Sequence, residues 1–388
     1  MSDRLRVLYL TTLYPRPTDP GEGPFVRAHA RAVAPHADVA VIHLDRAAGS
    51  HGLSELERIR TEEPPPAWRL RYRRFGAPLS QLAFFAGPIA AYRRLRADGF
   101  EPDVIHAHSF LSALPALTLG RLFGKPVAYT EHWTVFASEN PSELSVGMER
   151  LARLALRHAD AVLPVSEDLR RSLARLEPRA RFEVVPNVVD ETVFHPADTT
   201  ENGSPPQLLT VSRLDDGHKG VDVLLEALAR IEVPARLDVV GQGRRRAEYE
   251  ALAERLGVSD RVRFVGSESQ AKVAARMRTA DLFVLASRYE NNPVAVLEAI
   301  ASGLPVVATR VGGVPEILDE SNGLLAAPED PESLAACIDE ALARRDRFDS
   351  DEIVRRARAR YGQAAIGARL AAVYADLATS ASARSATR

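Results

Sequence analysis

Two glutamates eight positions apart, Glu290 and Glu298, stand in the stretch SRYENNPVAVLEAIASGLPVVAT at residues 287–309. Asn291, Asn292 and Pro293 follow the first glutamate directly, and the second is the only charge in an apolar run. Pro293 suits the first position of a helix, where its missing N–H is not needed, and Asn292 before it is a favoured N-cap. A helix beginning there leaves the amides of Val294 and Ala295 free at the positive end of its dipole, which makes a receptor for an anion. Glu298 lies more than one turn into that helix, where an unpaired carboxylate is costly and needs donors. The vicinal hydroxyls of a ribose would supply them, and so would a nearby arginine. Glu290 is read either as a ligand contact or as a surface carboxylate favoured by the dipole.

A second cluster is VSRLDDGHKG. Arg213 sits just past an expected strand, and Lys219 precedes Gly220 at an expected helix start. Of 50 Lys plus Arg only Lys125, Lys219 and Lys272 are lysines, so a lysine here breaks the chain's habit and supplies a compact point charge. An arginine and a lysine converging on a helix start could hold a diphosphate and stabilise it as a leaving group without a metal. Two solvated loop charges would look the same. In YPRPTDPGEGPFVRAHARAV, Gly21 and Gly23 would let the backbone approach a ligand before a helix from about Phe25. No G-x-G-x-x-G is present, which argues against a dinucleotide site. His106 and His108 alternate on one face of the strand DVIHAH. His106 reads as a hydrogen-bonded core histidine. His108 and His132, at the ends of neighbouring strands, read as groups for sugar hydroxyls or a phosphate. Asp349 and Asp351 precede a helix and read as capping, so no metal site is expected.

These residues need a scaffold of strand ends. Short β-branched runs alternate with helical patterns: RVLYLTT, VAVIHL, DVIHAH, PVAYTEH, AVLPVS and FEVVPN, then QLLTVSRL, RLDVVGQG, VRFVG, DLFVLAS, PVVAT and GLLAA. That is the signature of βαβ units and parallel sheets. At 388 residues two domains are expected. The polar, Pro/Gly-bearing HPADTTENGSPPQ at residues 195–207 reads as the linker. Two α/β doubly wound parallel-sheet units follow, with ligands at the carboxyl ends of the strands and a site in the cleft between the units. The final residues, ATSASARSATR, are small and polar and are expected to be disordered.

Bulk composition excludes several classes. A net charge of -2 gives no field for recruiting nucleic acid. The single cysteine, Cys337, excludes a disulfide framework and suits a reducing compartment. The N-terminal apolar stretch reads as a first strand, not as a signal peptide, and no run reaches the roughly 20 apolar residues of a membrane span. A cytoplasmic protein is expected. Residues 64–97 carry seven arginines and no acid around APLSQLAFFAGPIAAY. This is either a helix with a solvated basic face or an edge (residues about 69–96) that touches anionic lipid at the inner face of a membrane.

Together the motifs resemble the retaining nucleotide-sugar glycosyltransferases of the two-Rossmann GT-B architecture, glycosyltransferase family 4. The match to the family's E-x7-E signature continues through EAIASGLPVVATRVGGVPEIL, and VSRLDDGHKG, VVPNVVDETVFHP and LYPRPTDPGEGPFVRAHARAV resemble further family blocks. The resemblance implies an N-terminal acceptor-binding domain over 1–197 and a donor-binding domain over 207–360. A C-terminal helix over about 363–378 would cross back to the first domain. By the same resemblance, Glu298 would hold the ribose hydroxyls of a UDP- or GDP-sugar donor. Arg213 and Lys219, with the amides of Val294 and Ala295, would hold the diphosphate. Glu290 would contact the donor sugar, as a positioning group or as a nucleophile, and His108 would lie near the transferred sugar. Gly21 and Gly23 would line the acceptor side, and residues 263–266 would approach the base. Asn291 and Asn292 depart from the family's usual residues there; Asn292 is read as a donor contact or a cap. The implied reaction retains anomeric configuration, needs no metal or other cofactor, and delivers the sugar to a carbohydrate or lipid-linked acceptor. The alternatives are a nucleotide-sugar 2-epimerase or a phosphorylase on the same fold, or a non-catalytic protein that binds a sugar nucleotide or glycan.

Overall fold

The computed structural model describes residues 4–15, 23–45, 54–59, 65–72, 77–137, 139–140, 144–197 and 205–386. Two compact units emerge. Unit 1 is Met1–Val135, Ser142–Pro186 and Gln363–Arg388, and unit 2 is Phe136–Pro141 and Asn187–Gly362. Residues 198–204 of the expected linker, Gly21, Arg73 and Arg74 lie outside the described residues.

Unit 1 is built from β1 (Arg6–Thr11), α1 (Pro24–Val33), β2 (Asp38–Asp45), β3 (Ser54–Ile59), β4 (Ala67–Tyr72) and α2 (Ala77–Ala97). It continues with β5 (Val104–His108), α3 (Phe110–Phe123), β6 (Val127–Glu131), α4 (Val146–His158), β7 (Ala161–Pro164) and α5 (Glu167–Leu176). Its described strands form one sheet in the order β3-β4-β2-β1-β5-β6-β7. Val7, Leu8, Tyr9 and Leu10 of β1 have no exposed surface, as expected for a central parallel strand covered on both faces. The edge strand β3 runs antiparallel to β4, an exception to the expected all-parallel sheet. Its exposed Glu55, Glu57 and Arg58 are the kind of charges that keep a free edge from pairing with another chain.

FEVVPN does not form a strand of its own. Phe182 makes a single bridge to Val162. The segment nonetheless runs beside β7, the amides of Glu183 and Val185 donating to the carbonyls of Val162 and Pro164 at 3.0 and 2.9 Å. The next amide in that alternation, Asn187, donates instead to Asn292 Oδ1 at 2.8 Å, and the pairing ends.

Unit 2 comprises β8 (Gln207–Val211), α6 (Val221–Leu228), β9 (Arg236–Val240), α7 (Arg246–Arg255), β10 (Val262–Gly266) and α8 (Gln270–Thr279). β11 (Leu282–Leu285), α9 (Val294–Ala301), β12 (Val306–Thr309), β13 (Gly323–Ala326), α10 (Pro331–Ala343) and α11 (Ser350–Tyr361) complete it. The six strands run parallel in the order β10-β9-β8-β11-β12-β13. Successive strand residues feed opposite cores. Leu208, Leu237, Val239 and Val284 face α6, α7 and α10, whereas Leu209, Val240, Phe283 and Leu285 face α8, α9 and α11. This period of two is what a doubly covered sheet requires.

The chain ends in α12 (Gln363–Ala386), which belongs to unit 1 and packs along α1. The tail expected to be disordered is helical as far as Ala386. It contains no glycine or proline to stop a helix, and Arg384 pairs with Asp160 at 3.0 Å. Deeper in unit 1, the Tyr374 hydroxyl lies 2.8 Å from that of Tyr9 and 2.7 Å from Nδ1 of His106. Nε2 of His106 reaches Thr130 Oγ1 at 2.7 Å. His106 is thus the satisfied core histidine that its position suggested. Tyr374→Phe removes one hydroxyl from this buried chain and leaves two partners short of a bond. A loss of about 1–3 kcal/mol is expected, read as a lower denaturation midpoint at an unchanged m-value.

Candidate functional site

In an open parallel sheet, loops diverge where strand order reverses, and ligands bind at the carboxyl ends of those strands. In unit 2 the reversal falls between neighbouring β8 and β11. The loop after β8 carries Arg213 and Lys219. The loop after β11 carries Glu290, Asn291 and Asn292 and leads into α9. The two sequence clusters therefore meet at the switch point of one sheet.

Their contact is an ion pair: Lys219 Nζ lies 2.5 Å from Glu290 Oε1, and the Ser287 hydroxyl donates to the same oxygen at 2.8 Å. Glu290 is buried and Lys219 largely so. The approach depends on Gly220, which has φ +61° and whose Cβ would lie 2.0 Å from the carbonyl oxygen of Ala286. Any other residue there would push the loops apart. Arg288, which sequence reasoning passed over, ties them from outside. Its backbone N–H donates to the His218 carbonyl at 2.7 Å. Its guanidinium grips Asp222 at 2.9 and 3.1 Å and also donates to the Gly217 carbonyl and, at 2.9 Å, to Glu329. His218 stacks on Tyr289 with ring centroids 5.0 Å apart. A lone arginine inside SRYENN carried no periodic signal; its role exists only once the loops are folded.

Arg213 is not drawn into the pair. Its side chain is 70% exposed and bonds Asp215 at 3.0 Å. Arg263 of β10 is likewise engaged, with Asp238, which Arg276 also contacts at 2.7 Å. Asn292 does not cap α9. The cap position is Pro293, and no side chain caps the helix. Asn292 Oδ1 instead accepts from the amide of Asn187 at 2.8 Å, and its carbonyl accepts from the Asn187 side chain at 2.8 Å. The reciprocal pair fixes the chain entering unit 2 against this loop, a tertiary demand that displaces local capping. The consequence at the helix is the one expected. Val296 and Leu297 donate to the Pro293 carbonyl, while the half-buried amides of Val294 and Ala295 have no acceptor among the described residues. Asp349, by contrast, does cap α11, accepting from the amides of Asp351 and Glu352 at 3.0 and 3.2 Å.

Glu298 sits on α9 at 9% exposure, and no described residue donates to its carboxylate. Neither an arginine nor a lysine neutralises it. Burial alone raises its pKa from 4.5 to about 8, so near neutrality the free protein holds this carboxyl protonated.

Unit 1 reverses strand order between β1 and β5, and the remaining candidates gather there. Gly23 caps α1 with φ +61°, and its added Cβ would lie 2.7 Å from the Leu13 backbone. The glycine is thus required by the protein's own chain. His108 ends β5, and its Nδ1 lies 3.1 Å from Nε2 of His132. His29 of α1, which the sequence did not mark, faces both, with ring centroids 5.7 and 5.8 Å away. Burial lowers the His29 pKa to about 4. Burial, and then the neighbouring histidines, hold His108 well below the ordinary value. The loop bearing His132 is anchored by buried Glu131, whose carboxylate accepts from the amides of Phe110 (3.1 Å), His132 and Trp133 (both 2.8 Å) and from the Tyr129 hydroxyl. Burial lifts Glu131 to about 7 against those donors.

Glu298 supplies a pH test. Because its folded pKa lies above its unfolded one, the folded state holds the extra proton between about pH 4.5 and 8. Stability is therefore lost as pH rises through that window. The full shift corresponds to on the order of 3–5 kcal/mol. Glu298→Gln should flatten that slope, so that the variant gains on the wild type from pH 5 to 8 in chemical denaturation; parallel curves would contradict an uncompensated carboxylate. Arg288→Ala should loosen the Lys219 loop. The expected result is faster amide exchange over residues 215–220 and a loss of about 1–3 kcal/mol from the broken charged hydrogen bonds.

Comparison with known proteins places this geometry. The profile described as Glycosyltransferase Family 4 matches residues 21–193, and that described as Glycosyl transferases group 1 matches residues 193–365. Glycogen synthase of Mycobacterium tuberculosis is 29% identical over 252 residues, 63% of this chain. The chain spans 61% of that relative's length. D-inositol 3-phosphate glycosyltransferase of Corynebacterium urealyticum is 31% identical over 333 residues, 77% of each chain. Among solved structures, HepE of Anabaena in complex with UDP and glucose has a TM-score of 0.74 at 20% identity, covering 96% of this chain and 100% of that one. Its likeness extends to both units and gives the fold as GT-B. The chain belongs to glycosyltransferase family 4, with the glycosyl transferases group 1 domain as its second half.

Proposed function

We propose that the protein transfers a sugar from a nucleoside-diphosphate sugar to an acceptor hydroxyl, with retention of anomeric configuration, in glycoconjugate biosynthesis. The observation that carries this reading is the set of groups at the unit 2 switch point. Lys219 stands against Glu290, two amides at the start of α9 lack acceptors, and the Glu298 carboxyl lacks any donor among the described residues. Each deficiency matches a part of one ligand. The diphosphate takes the amides and the lysine, aided by Arg213 once it leaves Asp215, and a ribose diol donates two hydrogen bonds to Glu298. Glu290, fixed by Lys219 and Ser287, is then a positioning group for the donor sugar.

In the transfer, the bond from the anomeric carbon to the diphosphate oxygen breaks and the acceptor oxygen bonds to that carbon. The acceptor proton passes to the departing phosphate. Positive charge and positioning suffice for this step, with no carboxylate pair of the glycosidase kind and no metal. Unit 1 is read as the acceptor-binding unit. The exposed Leu82 and Phe85 of α2, with Arg93, Arg94 and Arg96 further along it, suit a lipid-linked acceptor held near an anionic surface. Among the described residues no helix is long and apolar enough to cross a membrane.

The test begins with UDP, GDP, ADP and their sugars in a thermal-shift screen, followed by turnover in EDTA. Transfer or slow hydrolysis that persists in EDTA is expected, and strict dependence on Mg²⁺ or Mn²⁺ would sink the metal-free step. Lys219→Ala should lower kcat by about 10²–10³ through lost leaving-group stabilisation. Because a diol favours the ionised carboxyl, nucleotide binding should release a proton below pH 8, and affinity should rise from pH 6 to 8. Calorimetry in buffers of different ionisation enthalpy reads that proton; its persistence in Glu298→Gln would remove Glu298 from the site.

A further inference from the structure

Three histidines from three elements of unit 1 meet beneath its surface: His29 from α1, His108 from the end of β5 and His132 just past β6. His29 and His108 are 0% and 1% exposed, and His132 is half-buried. One ring nitrogen from each lies within 4.8 Å of the other two. Two buried imidazoles and a half-buried third, packed only for bulk, would be an expensive choice, since each brings two polar nitrogens that need partners. Here the partners run short. Among the described residues, Nδ1 of His29 is buried without a hydrogen bond.

The geometry points to a transition-metal site, with Zn²⁺ held by His29, His108 and His132 and a water in the fourth position. Zn–N bonds of about 2.0–2.1 Å in a tetrahedron set the ligand nitrogens about 3.3 Å apart. The facing nitrogens of His108 and His132, 3.1 Å apart, already form one such edge. His29 Nε2 lies 3.0 Å from the Pro186 carbonyl. The N–H is thereby fixed on Nε2, leaving Nδ1 as a lone pair, the outer-shell arrangement typical of metal-bound histidine. Tyr9 against His108 (4.8 Å between centroids) and Phe25 against His132 (4.2 Å) supply an apolar wall, and Glu131 holds the His132 backbone. An all-imidazole set selects zinc, copper, nickel or cobalt over magnesium and calcium, which require oxygen ligands. The ion would tie α1 to the ends of β5 and β6. The site is built from unit 1 alone and does not depend on the transferase reading.

The untagged full-length chain, stripped with EDTA and dialysed, is titrated with Zn²⁺ by calorimetry and with Co²⁺ by visible absorption. One Zn²⁺ per chain, a raised Tm, and the intense d–d bands of tetrahedral Co²⁺ are expected. His29→Ala and, separately, His132→Ala should each weaken Zn²⁺ binding at least tenfold and abolish the Co²⁺ bands. Far-UV circular dichroism shows that each variant is folded, and His132, being half-buried, gives the variant that leaves the core intact. Absence of stoichiometric binding by the wild type overturns the site. So does undiminished binding by either folded variant, because the ion would then lie elsewhere.

Discussion

The meeting of Lys219 with Glu290 is the contact on which the geometry of unit 2 turns. It joins the loops after β8 and β11, the two strands between which chain direction around the sheet reverses. Without it those loops would splay, since each carries charge into a low-dielectric crevice. With it, the lysine and the glutamate compensate each other, and removing the lysine would leave buried Glu290 with only the Ser287 hydroxyl as donor. The pair in turn rests on backbone. Gly220 admits the Ala286 carbonyl, and Arg288 bonds across both loops from outside. The two loops are thus held by three contacts: the close approach at Gly220, the ion pair and the arginine clamp.

Glu298 shows the opposite logic one helix turn away. No counter-charge reaches it, and its carboxyl escapes the cost of a buried anion by keeping a proton. Were stability the only demand, an apolar residue would serve better at this place among Val296, Leu297 and Ile300, which are buried in the same helix. A carboxyl kept without partners therefore costs stability and leaves two oxygens able to accept hydrogen bonds. The contrast separates the two glutamates: Glu290 is compensated within the protein by Lys219 and Ser287, while Glu298 has no donor among the described residues.

Much of the fold could be read directly because parallel strands buried on both faces are near-continuous β-branched runs, as in RVLYL and DLFVL. What escaped was set by tertiary context. The strands β3 and β4 carry Glu55, Glu57, Arg58, Arg69 and Arg71, a charged edge pattern that does not look like a core strand. FEVVPN has the composition of a strand, but after two bonds to β7 its next amide, Asn187, turns to the remote Asn292. The C-terminal tail looks disordered by composition, yet Arg384 finds Asp160 and the helix continues. At the site, Lys219 and Glu290 were each legible as charges just past a strand end and ahead of a helix start, but their pairing was not. Asn292 misled because capping is a local preference and Asn187 is a distant partner. Arg288 and His29 were invisible for the same reason: each works only through groups remote in sequence.

The two units apply one topological rule to different chemistry. In unit 2 the switch point presents a lysine, free amides and a protonated carboxyl, all suited to an anion and its attached hydroxyls. In unit 1 it presents neutral imidazoles and Glu131, which four donors do not keep from rising to about 7. Burial at that point of unit 1 therefore drives titratable groups toward their neutral forms, and what such a site can recognise is an uncharged hydroxyl or a cation that accepts lone pairs. A diphosphate would find no fixed positive charge among those imidazoles. In both units the strand order supplies the place, and the local charge is what differs between them.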